Sequence, residues 1–216
     1  MEEVKAYFGI IFVSTAIITG SLVMGNMQFA DALRHAAFQV GSIITTTGYA
    51  TINFDAWSQT CRTILVLLMF VGACAGSTGG GMKVSRFIVM VKTMTKELNS
   101  YIHPKSVKKI KMDGKPIEHE VVRSINVYLI TFMIIFVASV FAISFEGHDL
   151  VTNFTAVAAT INNIGPGLSL VGPSCNFSMY SNFAKLVLVF DMLAGRLEIF
   201  PMLVPAVYLL RKKQLR

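Results

Sequence analysis

Charge is scarce in this chain: Asp, Glu, Lys and Arg together make up 14% of 216 residues, against 54% hydrophobic residues. A soluble domain carries roughly a quarter of its residues as charges, so this composition, with a mean hydropathy of +0.61, places the chain among membrane proteins. Cysteine is scarce as well. Cys61, Cys74 and Cys175 lie far apart with no CxxC or Cys/His spacing, so neither a zinc site nor a disulfide framework is indicated. His35, His103, His119 and His148 show no paired ligand spacing either. The chain offers no Ser/His/Asp set placed for nucleophilic attack and no carboxylate pair placed for acid–base work, so no enzyme and no bound cofactor are expected. A phosphate-binding GxxxxGK[ST] loop fails too, because Met82 separates Gly81 from Lys83-Val84.

What the sequence has in quantity is long apolar runs. Crossing the hydrocarbon core takes roughly 17 to 25 apolar residues, whereas runs of about 10 to 14 more often re-enter or stay buried. Residues 7–24, 125–145 and 183–210 meet the first condition and are expected to span. The opening Met1-Glu2-Glu3-Val4-Lys5 is more acidic than a signal-peptide n-region, so the first run is expected to be retained. A fourth run, 61–94, is interrupted by Gly76-Ser77-Thr78-Gly79-Gly80-Gly81. That glycine density breaks a helix. Broken backbone at membrane depth needs protein or water around it, so the break predicts an adjoining cavity.

Two shorter segments, 29–44 and 150–160, suit pore-loop helices. The order is helix, short helix with loop, helix, repeated once with the second copy beginning near Arg123. The expected fold is an all-α integral membrane protein of two helix–pore loop–helix repeats, 1–96 and 123–216, joined by a linker over 97–122. Asp113-Gly114 in that linker predicts a small β-hairpin, either a solvated connector or a docking surface for a cytosolic partner.

The net charge of +7 fits a lipid surface better than nucleic acid, because the basic residues fall between apolar runs. Ten of the nineteen lie from Lys83 to Arg123, Arg211, Lys212, Lys213 and Arg216 close the chain, and Lys5 opens it. Cytoplasmic loops are enriched in Lys and Arg, so these ends are expected on the cytoplasmic side of a multi-pass protein. The two short-helix regions, holding Arg34, Arg62 and Lys185, then face outside, and Arg196 stays within an apolar run.

The first short helix runs into Thr45-Thr46-Thr47-Gly48-Tyr49-Ala50, close to the TVGYG sequence whose carbonyl oxygens replace the hydration shell of potassium in selectivity filters. The second runs into Asn162-Asn163-Ile164-Gly165-Pro166-Gly167, so Gly165 aligns with Gly48. Both loops follow helix carboxyl ends, whose partial negative charge favours a cation. A glycine turn after a buried helix is the plain reading of one such loop. Two in matching places favour a filter built from Thr45, Thr46, Thr47, Gly48, Tyr49, Asn162, Asn163, Ile164, Gly165 and Pro166, with potassium as the permeant ligand.

TTTGYATINF, GACAGSTGGGMKVSRF, ATINNIGPGL and AGRLEIFP together resemble the Trk/Ktr potassium-uptake family, TrkH type, in its third and fourth repeats. The resemblance implies channel-like uptake of potassium through four pore loops, so the other two repeats or a second subunit must be supplied. It implies that Gly76, Ser77, Thr78, Gly79, Gly80 and Gly81 form a gating loop below the filter and that Arg196 lies by the pore against that loop. A plain helix kink, and a pair between Arg196 and the nearby carboxylates Asp191 or Glu198, are the alternatives. It further implies a homodimer of complete subunits, a TrkA-like nucleotide-binding regulator on the basic face, and a place in the cell inner membrane. A sodium- or proton-coupled carrier with broken helices is the rival reading, and it would show inverted repeats. A nonconducting fragment is a third.

Overall fold

A computed structural model describes residues 1–77, 79–103 and 109–196. The first unit opens with α1, Glu2–Met24, whose first turn carries two carboxylates where the helix dipole favours them. Met24 is followed by a turn through Gly25 and the left-handed Asn26, and the chain reverses into α2, Phe29–Ile44. A loop over 45–50 then leads by a 3-10 turn at Phe54–Ala56 into α3, Gln59–Phe70, which Ser58 caps by accepting from the Cys61 amide. After the break comes α4, Val84–Ile102.

The second unit repeats this order. α5, His119–Ser144, is followed by α6, Leu150–Ile161, then a loop over 162–167, two 3-10 turns and α7, Asn182–Arg196. At about 1.5 Å per residue, the 23 residues of α1 and 26 of α5 reach roughly 35 and 39 Å, enough for a hydrocarbon layer of about 30 Å. Both display apolar side chains outward, Phe8, Phe12 and Ile17 on α1 and Ile130, Ile134, Val137 and Phe141 on α5.

Between the units, β1 (Lys111–Met112) pairs antiparallel with β2 (Lys115–Pro116). Asp113 and Gly114 both have positive φ, as a two-residue hairpin turn of the primed type requires. α1 packs on α2 and α3, α5 packs on α6 and α7, and α3 meets α6 where the units join. Phe70 at the end of α3 stacks edge-on to Phe136 of α5 at 5.5 Å, and Phe154 of α6 closes the triangle, 5.1 Å from Phe136. Aromatic clusters of this kind contribute beyond their buried area.

Several boundaries differ from expectation. α1 begins at Glu2 rather than Tyr7, and the second unit begins at His119 rather than near Arg123, because amphipathic polar turns extend both helices beyond their apolar stretches. The interruption of the 61–94 run is wider than its glycine cluster. Helix ends at Phe70 because Val71 pairs with Met82 in a parallel bridge, and the Gly72 amide donates to the Met82 carbonyl at 2.8 Å. The last helix is described as far as Arg196. The expected continuation to Leu210, Glu198, the terminal basic cluster and Thr78 lie outside the described residues.

Candidate functional site

The two short helices end in the same three backbone hydrogen bonds. In the first, Thr45 donates to Gly41 (3.1 Å), Thr46 to Ile43 (3.0 Å) and Thr47 to Ser42 (2.9 Å); in the second, Asn162 donates to Ala158 (3.3 Å), Asn163 to Thr160 (3.0 Å) and Ile164 to Ala159 (2.8 Å), all through backbone amides and carbonyls. The paired 5→2 and 6→1 bonds form a Schellman ending, which needs a left-handed residue just past the cap. Thr46 (φ 57°) and Asn163 (φ 55°) fill that position, and two residues further Gly48 (φ 79°) and Gly165 (φ 114°) are again positive.

Side chains fix each loop to its own helix. Ser42 Oγ donates to the Tyr49 carbonyl at 2.5 Å, and Thr45 Oγ1 donates to the Gly41 carbonyl at 2.7 Å while bonding Thr47 Oγ1 at 2.8 Å. In the second loop Asn162 Nδ2 donates to the Ala158 carbonyl at 2.8 Å, and the outgoing Leu168 amide donates to Thr155 Oγ1 of α6 at 3.0 Å. The loops also touch one another. A Cβ built on Gly48 would lie 1.9 Å from the Ile164 carbonyl oxygen and 3.3 Å from Pro166 Cδ.

The glycine break sits against the starts of both loops. The Gly80 amide donates to Thr46 Oγ1 at 3.2 Å, and a Cβ on Gly80 would fall 2.4 Å from the Asn162 carbonyl oxygen, with one on Gly81 3.0 Å from Asn162 Oδ1. Lys83, buried just before α4, folds its ammonium back under the break and donates to the carbonyls of Ser77 (3.0 Å) and Gly79 (2.6 Å) and to Ser77 Oγ (3.1 Å). α7 supports the second loop: Asn163 Nδ2 donates to the Met192 carbonyl at 3.0 Å, and a Cβ on Gly195 would meet the Ile161 carbonyl oxygen at 1.7 Å. Arg196 follows Gly195 directly. Asp191, buried on the same helix, accepts from Ser139 Oγ of α5 at 2.7 Å.

At the far ends of the loops a second junction forms. Asp55, after the first loop, accepts from the Ser169 amide, after the second, at 3.1 Å and pairs with Arg62 at 3.0 Å. Around the α5–α6 connection, Ser181 Oγ and then its amide hold the Glu146 carboxyl below the usual carboxylate range. The Thr152 hydroxyl does the same for Asp149, the α6 cap. Burial, with the Asp149 and Glu146 charges behind it, pushes Tyr180 up to about 12.

The sequence-predicted loop residues are thus brought together, and Gly79, Gly80 and Gly81 lie against them. Gly76 and Ser77 are exposed and stand off from the loops. Three contributors escaped the sequence reading: Gly72, where a Cβ would lie 2.6 Å from the Gly80 carbonyl oxygen, Gly195, and the anchoring role of Lys83, while Asn163, expected in the filter, also ties its side chain to α7. For Lys83 a signal existed, since a cation inside an otherwise apolar stretch demands a partner.

Paired helix–loop–helix units with apolar outer faces and loops meeting at a shared junction define an integral membrane protein of the pore-loop class. The family model described as TrkH, cation transport protein, matches residues 5–215, and the chain belongs to that family. It is 35% identical over 205 residues to the Trk system potassium uptake protein TrkH of Escherichia coli K12, covering 94% of this chain and 42% of the relative. The Vibrio parahaemolyticus TrkH is 40% identical over 174 residues, covering 81% and 36%. The crystal structure of the potassium transporter TrkH from Vibrio parahaemolyticus superposes with a TM-score of 0.86 at 36% identity, covering 94% of this chain and 43% of that one. The chain therefore spans less than half the length of the relatives it matches.

Proposed function

We propose that this chain supplies two neighbouring pore loops of a channel-like potassium pathway, with Thr45, Thr46, Thr47, Gly48 and Tyr49 beside Asn162, Asn163, Ile164, Gly165 and Pro166 in the wall of the filter. The observation that carries the reading is the twin geometry of loops in contact at Gly48 and Ile164. Left-handed residues at alternate positions break the up-and-down alternation of an extended strand, which is what a row of carbonyls turned toward one axis needs. A ring around a bare ion takes more than two loops, so the remaining repeats of a longer subunit, or a second subunit, complete it.

The sense of the repeats favours a pore over an inverted-repeat carrier. Both loops start at the glycine break, through Thr46 and Asn162, and both run toward the Asp55–Ser169 junction. They are therefore parallel, whereas a carrier of broken helices related by an in-plane axis would have them opposed. The residues from Gly76 to Gly81, with Arg196 beneath the second loop, form the gate in this reading. The basic linker and hairpin lie on the cytoplasmic side of the inner membrane with both ends of the segment, and present the docking face for a TrkA-like nucleotide-binding regulator. Complete subunits pair as homodimers.

Uptake follows from the membrane potential, since one charge across 100 mV is worth about 2.3 kcal/mol. The test is rubidium flux into liposomes holding the purified complete subunit under an inside-negative potential. Flux without nucleotide hydrolysis or a sodium or proton gradient is expected. A strict requirement for either gradient would establish a coupled carrier instead, and no flux under any condition would leave a nonconducting assembly.

A further inference from the structure

The second residue of α1 serves a different helix from its own. Glu3 is half-buried, and its Oε1 accepts from the Ala75 amide at 2.7 Å and from the Ser85 amide at 3.1 Å. These donors sit at the two ends of the glycine break. Ser85 lies in the first turn of α4, where amides have no partner within the helix and the dipole favours an anion. Ala75 opens the exposed part of the break, just before Gly76, whose φ is 81° and whose surroundings are open.

The break is thus held unevenly. Gly80 and Gly81 are wedged under the loops by close contact, whereas 75–77 are exposed and are held by the turn bond from the Ser77 amide to the Cys74 carbonyl (3.1 Å) and by side chains reaching in. Lys83 takes the Ser77 carbonyl and hydroxyl, and Glu3 takes the Ala75 amide. One residue earlier, Glu2 pairs with Lys92 of α4, whose Nζ also donates to the Lys111 carbonyl of the hairpin at 2.8 Å. A displacement of the hairpin therefore has a short mechanical route to Glu3.

We propose that Glu3 is a positioning residue for permeation: its carboxylate latches the glycine break under the filter, and ion flux requires that latch to release. The proposal rests on the reading of the break as a gate. Cys74, half-buried beside the latched Ala75, reports on it once the buried Cys61 and the exposed Cys175 are replaced. The experiment uses the complete subunit with Cys74 as its single cysteine, comparing Glu3→Ala, Glu3→Gln and Glu3→Asp by rubidium flux and by the limiting rate of modification with a water-soluble methanethiosulfonate at a pH where Cys74 is fully ionised, so that the Glu3 charge beside the thiol does not itself set the rate.

Loss of two hydrogen bonds to a charged acceptor should speed Cys74 labelling by at least about fivefold in Glu3→Ala, with flux rising in parallel and the rubidium-to-sodium ratio unchanged. Glu3→Gln keeps an acceptor without the charge and should fall between, and Glu3→Asp should restore most of the latch. Unchanged labelling overturns the role of Glu3. Faster labelling with unaltered or slower flux shows that Glu3 holds the break but that the break does not gate, which overturns the proposal through the reading beneath it. If Glu3→Ala fails to fold, Glu3→Gln carries the same comparison, and wild-type labelling and flux in that variant overturn the latch.

Discussion

Replacing Gly48 by alanine tests the loop pair at its closest point. The backbone there has φ 79°, and an L side chain in that region costs about 1–2 kcal/mol before any contact is counted. The added methyl would lie 1.9 Å from the Ile164 carbonyl oxygen. An ordinary carbon–oxygen contact is about 3.3 Å, so the loops must part by roughly 1.4 Å. Ile164 is a proposed filter position, and such a shift displaces its backbone from the ring of carbonyls that the neighbouring loops are proposed to form. Gly165 provides the internal control: its φ is 114°, but a Cβ there meets nothing within 4 Å, so Gly165→Ala carries backbone strain alone. Potassium-dependent growth of a transport-deficient host and rubidium uptake, at matched membrane abundance of the complete subunit, should be abolished by Gly48→Ala and only weakened by Gly165→Ala. Wild-type uptake in Gly48→Ala, or greater damage from Gly165→Ala, would show that transport does not depend on the Gly48–Ile164 contact.

Lys83→Met removes the ammonium from the exposed Ser77 carbonyl and the half-buried Gly79 carbonyl, losing two charge-assisted hydrogen bonds that water replaces only in part; single-channel recording of the complete subunit should show raised open probability with unchanged ion selectivity. In the proposed gate the Arg196 charge opposes cation passage, so Arg196→Gln should raise flux; liposome flux checks this. Asp149→Ala should cost about 1 kcal/mol of thermal stability in detergent, the usual worth of a helix cap. Because the folded-state pKa of Asp149 is lowered, its contribution is complete above the normal carboxylate range and fades as pH falls through the lowered value. Melting temperatures of the native protein and Asp149→Ala should therefore converge in acid and separate toward neutrality.

Much of this architecture is legible because membrane depth restricts backbone so severely. Apolar length alone separates α1 and α5 from the short helix α2, whose observed limits match the expected segment at both ends. Asp113-Gly114 marks the hairpin turn because few residue pairs accept two positive φ values. The limits of the break were not legible. Its start depends on Val71 pairing with Met82, a contact across the loop rather than a local preference. The left-handed Thr46 and Asn163 were hidden for a related reason. Asparagine tolerates that conformation, but threonine is held there by the Schellman bonds and by the Gly80 amide at its hydroxyl. Gly195 reads as an ordinary helix residue until the Ile161 carbonyl is seen against it.

In the proposed function the 45–50 and 162–167 loops line a binding site for dehydrated monovalent cations. Anomalous diffraction from crystals of the complete subunit soaked in thallium or rubidium measures this most directly. The account predicts anomalous peaks within coordination distance of backbone oxygens of Thr45–Tyr49 and Asn162–Pro166. Well-ordered loops with no peak between them, and peaks at another site along the membrane, would contradict it.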